Sequence, residues 1–141
     1  MRVDASRDEI ITCMLRAAGL RSTAQRRVIL AHLVGSSHAL TAQQLHARLC
    51  DDGHGVGLNT VYRTVQALVD AGALHTFPDH GELAFRRCGD AHHHHFICQR
   101  CGRVEDVLAD EVERWVTAVA QRPGYTVHSH RADVYGTCPA C

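Results

Sequence analysis

The sequence predicts an α+β fold in which an N-terminal winged helix-turn-helix domain is followed by a small α/β domain with structural zinc. Three observations carry this. The first half alternates helical apolar stripes with capping signals. Two short strand-like runs surround the turn PDHGE directly after the fourth helix. The second half runs from HHHHF into CQRC and closes on CPAC. The boundaries read as 1–88 for the winged helix, 89–91 for a hinge and 92–141 for the second domain.

In order, Ser6-x-x-Glu9 is a capping box ahead of Ile10, Ile11, Met14 and Leu15, and Gly19 ends that helix. A second helix begins near Thr23, burying Val28, Ile29 and Leu33, and GSSH breaks it. Thr41-x-x-Gln44 is another capping box, with Leu45 and Leu49 on one face. After the loop DDGHGVG comes LNTVYRTVQALVDAGAL, whose Val61, Val65, Leu68 and Val69 form one apolar stripe. Ala73 to Phe77 and Leu83 to Arg87 are the strands of the wing. In the second half a strand enters the C-x-x-C-G knuckle and another leaves it. Asp110 to Ala120 is a helix with Val112, Trp115, Val116 and Val119 inward, and Tyr125 to Tyr135 is a further strand.

A chain of 141 residues fits two small domains, each with a modest core and neither with room for a deep enzyme cleft. No window holds the ~18 apolar residues of a membrane span, and MRVDASRDEIITC lacks the pattern of a secretory signal. A cytoplasmic protein without a membrane partner is expected, and there paired C-x-x-C motifs bind metal more often than they form disulfides. Formal charge balances at zero, and every basic side chain apart from histidine is arginine. Arg21, Arg26 and Arg27 cluster early, and Arg63 stands alone on the fourth helix. There Asn59, Arg63 and Gln66 lie at i, i+4 and i+7 opposite the apolar stripe, with Tyr62 at the edge. Such side chains read adenine, guanine, phosphate and the thymine methyl, although any amphipathic helix also has a polar face.

Cys98-x-x-Cys101 and Cys138-x-x-Cys141 have the spacing of a closed zinc site, in which four thiolates fill a tetrahedral shell. For the histidine run, alternation on a strand forbids a single site. His93 and His95 share one face, His92 and His94 the other. Each pair needs further ligands: Cys88 and His75 suit one, Glu113 and His130 the other. A solvated polar strand is the competing reading, and Glu113 also fits a capping box with Asp110. Cys13 and Cys50 read as small buried or half-buried helix residues. His32, His38, His46, His54, His80 and His128 read as surface or locally bonded.

With STAQRRVIL, GLNTVYRTVQALVDAG, the histidine strand after RRC, CQRCG and GTCPAC on the page, the chain resembles the ferric uptake regulator family, most closely its zinc-uptake branch. The resemblance covers nearly the whole chain. It implies a homodimeric repressor that binds double-stranded palindromic operator DNA and takes no small-molecule substrate, with the C-terminal domain forming the dimer. It implies two to three Zn²⁺ per subunit. Cys98, Cys101, Cys138 and Cys141 correspond to the structural zinc site; His75, Cys88, His93 and His95 to the regulatory site; and His92, His94, Glu113 and His130 to an additional metal site. Tyr62 and Arg63 correspond to DNA-contacting positions, and Asn59, Thr60 and Arg21 complete the expected DNA-binding set.

A thiolate among imidazoles is softer than an all-nitrogen-and-oxygen set, which favours zinc over iron or manganese. Iron-, nickel- and peroxide-responsive regulators of the same family are the alternatives. A zinc hydrolase is the alternative from another class, disfavoured because H-E-x-x-H and the deaminase pattern H-x-E…P-C-x-x-C are absent from the sequence.

Overall fold

Helix α1 (Arg2–Ala17) starts upstream of Ser6, so Ser6-x-x-Glu9 falls inside it and caps nothing. The residue types match a capping box, but the backbone ahead of Ser6 is already helical. In a computed structural model, residues 2–87 and 92–141 are described; Cys88 and the expected hinge at 89–91 lie outside the described residues. Two compact units result, Met1–Cys88 and Gly89–Cys141.

In the first unit the remaining helix starts follow from side-chain caps. The Thr23 hydroxyl accepts the Arg26 N–H at 3.3 Å ahead of α2 (Ala24–Val34). At α3 (Ala42–Asp51) the Thr41 hydroxyl accepts the Gln44 N–H at 3.1 Å, and the Gln44 amide oxygen accepts the Thr41 N–H at 3.0 Å. Each such cap contributes about 1 kcal/mol. Helix α4 (Leu58–Asp70) has Gly57 at its N-cap and no side-chain cap. Ile11, Met14 and Leu15 of α1, Ile29, Leu30 and Leu33 of α2, Leu45 and Leu49 of α3, and Val61, Val65 and Leu68 of α4 are buried in one core. Val28 and Val69 pack on its margin.

A three-stranded antiparallel sheet, β1 (Leu40–Thr41), β2 (His75–Asp79) and β3 (Glu82–Arg86), has the order β1-β3-β2. The wing turn is tighter than PDHGE suggests. Asp79 pairs with Glu82, leaving His80 (φ 47°) and Gly81 (φ 86°) as a two-residue loop. Positive φ at both central residues suits the right-handed twist of the flanking strands. Pro78 therefore lies within β2, which accepts it because β2 is an edge strand.

The second unit holds β4 (His94–Cys98), β5 (Val104–Val107), helix α5 (Asp110–Ala120) and β6 (Asp133–Gly136), with sheet order β5-β4-β6. Strand β4 pairs antiparallel with β5 and parallel with β6. Three expectations are corrected here. The strand expected over Tyr125 to Tyr135 is regular only from Asp133, because the earlier alternating residues pair with no strand among the described residues. Trp115 is 66% exposed, while Val112, Val116 and Val119 are half-buried, so among the described residues the stripe on α5 is only partly covered. The N-cap of α5 is Ala109 with no side-chain cap, so Asp110 and Glu113 form no capping box. Among the described residues of this unit the buried apolar side chains are Ile97, Cys98, Val104 and Cys138. That is a small core for an independent unit.

Candidate metal centres

Strand β4 carries Cys98 into a tight knuckle. The Cys98 N–H donates to the Arg103 carbonyl at 2.9 Å, and the Gly102 N–H to the Cys98 carbonyl at 2.9 Å. Gly102 takes φ 77°, which a side chain would resist. The second knuckle follows β6, and the Cys141 N–H donates to the Cys138 carbonyl at 3.0 Å. All four sulfurs lie within 4.8 Å of one another, with Cys98 Sγ 3.9 Å from Cys141 Sγ and Cys101 Sγ 3.8 Å from Cys138 Sγ. A disulfide would bring them to about 2 Å. Four thiolates at about 2.3 Å from a central zinc would stand about 3.8 Å apart, so the donor set and its spacing fit that ion.

Electrostatics divide these thiols. Backbone N–H donors, that of Cys101 first and that of Cys138 second, pull Cys98 down to about 6; the Cys138 N–H stands 3.3 Å from Cys98 Sγ. Neighbouring thiols, Cys138 first, push Cys141 up to about 12. Crowded sulfurs resist sharing negative charge, and a divalent cation among them relieves that resistance.

The alternation of β4 turns His94 and His95 to opposite faces, and His92 and His93, just ahead of the strand, join His94 and His95 respectively. Nε2 of His94, His92 and His130 stand 2.6, 2.9 and 3.2 Å from Oε1 of Glu113 on α5. These hydrogen bonds, His94 foremost, hold the Glu113 carboxyl down to about 2. It stays ionised, and three nitrogens and one oxygen converge within metal-chelating distance. On the other face, the His93 and His95 rings meet edge to face at 4.7 Å. Nδ1 of His95 lies 3.0 Å from Oδ1 of Asp133, and Nε2 of His93 lies 3.7 Å from Oδ1 of Asp106. Burial lowers the His95 pKa, opposed by the hydrogen bond to Asp133, and a neutral imidazole is the form that ligates metal. Asp106 and Asp133 were not singled out from sequence. Each faces His95 across a strand pairing, β5 on one side and β6 on the other, and nothing in local spacing announces that.

Of the remaining expected ligands, His75 begins β2 in the first unit, and Cys88 lies outside the described residues. Cys13 and Cys50 are exposed, contrary to expectation; Cys50 Sγ lies 3.6 Å from His46 Nε2 one turn back. On α4, Asn59, Tyr62, Arg63 and Gln66 are exposed and Thr60 is half-buried. Gln66 donates to Asp70 at 2.8 Å, tying its amide to its own helix. Arg21 is exposed ahead of α2, and its carbonyl accepts from Arg26 Nη1 at 2.8 Å. The uncapped start of α4 leaves backbone N–H groups beside Asn59 and Thr60, a favourable place for a phosphate.

The family model of the ferric uptake regulators matches residues 17–135. The zinc uptake regulation protein of Mycobacterium tuberculosis is 41% identical over 128 residues, covering 90% of this chain and 98% of that protein. The ferric uptake regulation protein of Legionella pneumophila is 35% identical over 130 residues, covering 90% and 95%. Among solved structures, the ferric uptake regulator of Vibrio cholerae is 30% identical and superposes with a TM-score of 0.72, over 88% of this chain and 96% of that one.

Proposed function

From the premise that this chain belongs to the ferric uptake regulator family, we propose that it is a zinc-responsive repressor that binds palindromic operator DNA as a homodimer in the cytoplasm and controls genes of zinc uptake and homeostasis. Members of this family are dimeric, metal-binding regulators of transcription and not enzymes. The observation that carries the zinc assignment is the 41% identity to a zinc uptake regulation protein. Ligand chemistry supports it, because a set containing the Cys88 thiolate is softer than iron or manganese prefer. The 35% identity to a ferric uptake regulation protein favours iron as the second reading.

Two to three Zn²⁺ per subunit follow from the three ligand sets. Cys98, Cys101, Cys138 and Cys141 hold the structural ion, and His75, Cys88, His93 and His95 hold the sensed one. His92, His94, Glu113 and His130 form the additional site. Zinc, when bound, supplies cross-linking charge. The chain's part is to present deprotonated ligands and to carry Asn59, Thr60, Tyr62, Arg63 and Arg21 to the DNA. Sensing then amounts to a shift in the population of DNA-competent dimers. Leu108 and Trp115, 84% and 66% exposed in the single chain, supply apolar area for the homodimer. No helix among the described residues is long and apolar enough to cross a membrane.

The test is a titration of full-length protein, its four-thiolate site already filled, against duplex promoter DNA carrying an AT-rich palindrome. DNA affinity rises as zinc fills the second site and does not rise with ferrous or manganous ion at the same free concentration. An affinity indifferent to zinc overturns the proposal, and a response to ferrous ion alone selects the iron reading. Replacing Arg63 with alanine is expected to weaken DNA binding by about 10- to 100-fold, the value of one good base or phosphate contact, with zinc content unchanged. Fluorescence anisotropy reads this directly, and unaltered affinity removes Arg63 from the contact set.

A further inference from the structure

Asp133 uses its two oxygens on two different partners. Oδ1 takes Nδ1 of His95 at 3.0 Å, and Oδ2 takes Nε of Arg131 at 2.5 Å. Glu113 differs, since one of its oxygens faces three imidazoles as a ligand would. Both the His95 and Asp133 side chains are largely withdrawn from water, at 3% and 9% exposure. The parallel register of β4 and β6 sets the two residues directly opposite each other.

We propose that Asp133 is a positioning residue for metal capture, fixing the tautomer and ring orientation of His95 so that Nε2 is the atom offered to a divalent cation, with Arg131 holding Asp133 in place. A carboxylate only accepts hydrogen bonds, so the single proton of a ligating imidazole sits on Nδ1 and the lone pair on Nε2. Carboxylate partners of this kind also raise ligand basicity, and their loss costs about 10- to 100-fold in metal affinity. The inference rests on the reading of His95 as a zinc ligand.

Three variants of the full-length dimer separate the possibilities, each with the structural zinc retained and its fold checked by circular dichroism. Zinc affinity is measured by competition with a chromophoric chelator, and the His95 tautomer by long-range proton–nitrogen correlation spectra of the ring. In D133N, one non-structural zinc binds about 10- to 100-fold more weakly, saturating stoichiometry is unchanged, and the His95 proton moves from Nδ1 toward Nε2. R131Q, at a more exposed position, gives a smaller loss of the same sign and keeps the inference testable should D133N unfold. H95A removes the site altogether. If H95A loses zinc while D133N and R131Q bind as the wild type does, Asp133 has no positioning role and the zinc reading stands. If H95A itself binds zinc normally, His95 is no ligand and both readings fall.

Discussion

Replacing Cys101 with serine is expected to unfold the second unit. The described part of that unit buries few apolar side chains, with Ile97 and Val104 its only buried aliphatics, too little to offset the conformational entropy of its backbone. Structural zinc in small modules is worth about 10–16 kcal/mol at neutral pH, comparable with or above the about 5–15 kcal/mol that holds a whole domain. A serine hydroxyl is a poor substitute for a thiolate, and three sulfurs leave the ion open to water. Elemental analysis should show loss of the structural zinc together with any zinc held by the histidine sites of the same unit. The near-ultraviolet signal of Trp115 should collapse, while the helical signal of the first unit, with its own core of Ile29, Leu30, Leu45, Val61 and Leu68, persists. A second unit that stays folded without that zinc would refute the argument. Strong chelation of the wild-type protein should reproduce the same loss.

Replacing Cys88 with serine is expected to abolish zinc-dependent DNA binding without unfolding the protein. Moving a population from 1:99 to 99:1 takes about 5.5 kcal/mol of differential metal affinity. Loss of the one soft ligand removes enough of it to leave the equilibrium unshifted at ordinary zinc concentrations. The variant should keep one tightly held zinc per chain and its dimeric mass in solution, yet show the same DNA affinity with and without added zinc. Unfolding would place Cys88 in a structural role, and an unchanged zinc response would take it out of the sensing set. These outcomes differ from those for Cys101, where fold and metal are lost together.

The parts of this molecule legible in its sequence are those fixed by neighbours along the chain. Thr23 and Thr41 start helices where expected because a cap involves residues three apart. The histidine run divides into two pairs because strand side chains alternate. Ser6 failed as a cap because the same residue types occur inside a helix already under way. Trp115 failed as a core residue because an apolar stripe shows that something is to be covered without saying whether this chain or a second copy covers it. Tyr125 to Ala132 alternates as a strand does but has no partner ladder among the described residues, and alternation alone forms no hydrogen bonds. Asp133 was invisible for a related reason. Its meaning depends on pairing with His95, 38 positions earlier, across a parallel ladder that local pattern cannot specify.

That ladder also limits how the chain can change in length. The pairing that sets Asp133 opposite His95 sets Gly136 opposite Cys98, two residues before Cys138. At Gly136 a Cβ would come within 3.1 Å of the Phe96 ring. Inserting or deleting one residue between Asp133 and Cys138 would push a side chain into that ring or carry the last two sulfurs out of reach of the first two. It would also turn alternate side chains to the wrong face. The exposed segment from Gln121 to Ser129 has no such register to keep. Length variation among chains of this type should therefore collect before β6 and stop at it, since a single strand acts as the ruler for a thiolate cluster and a histidine pair together.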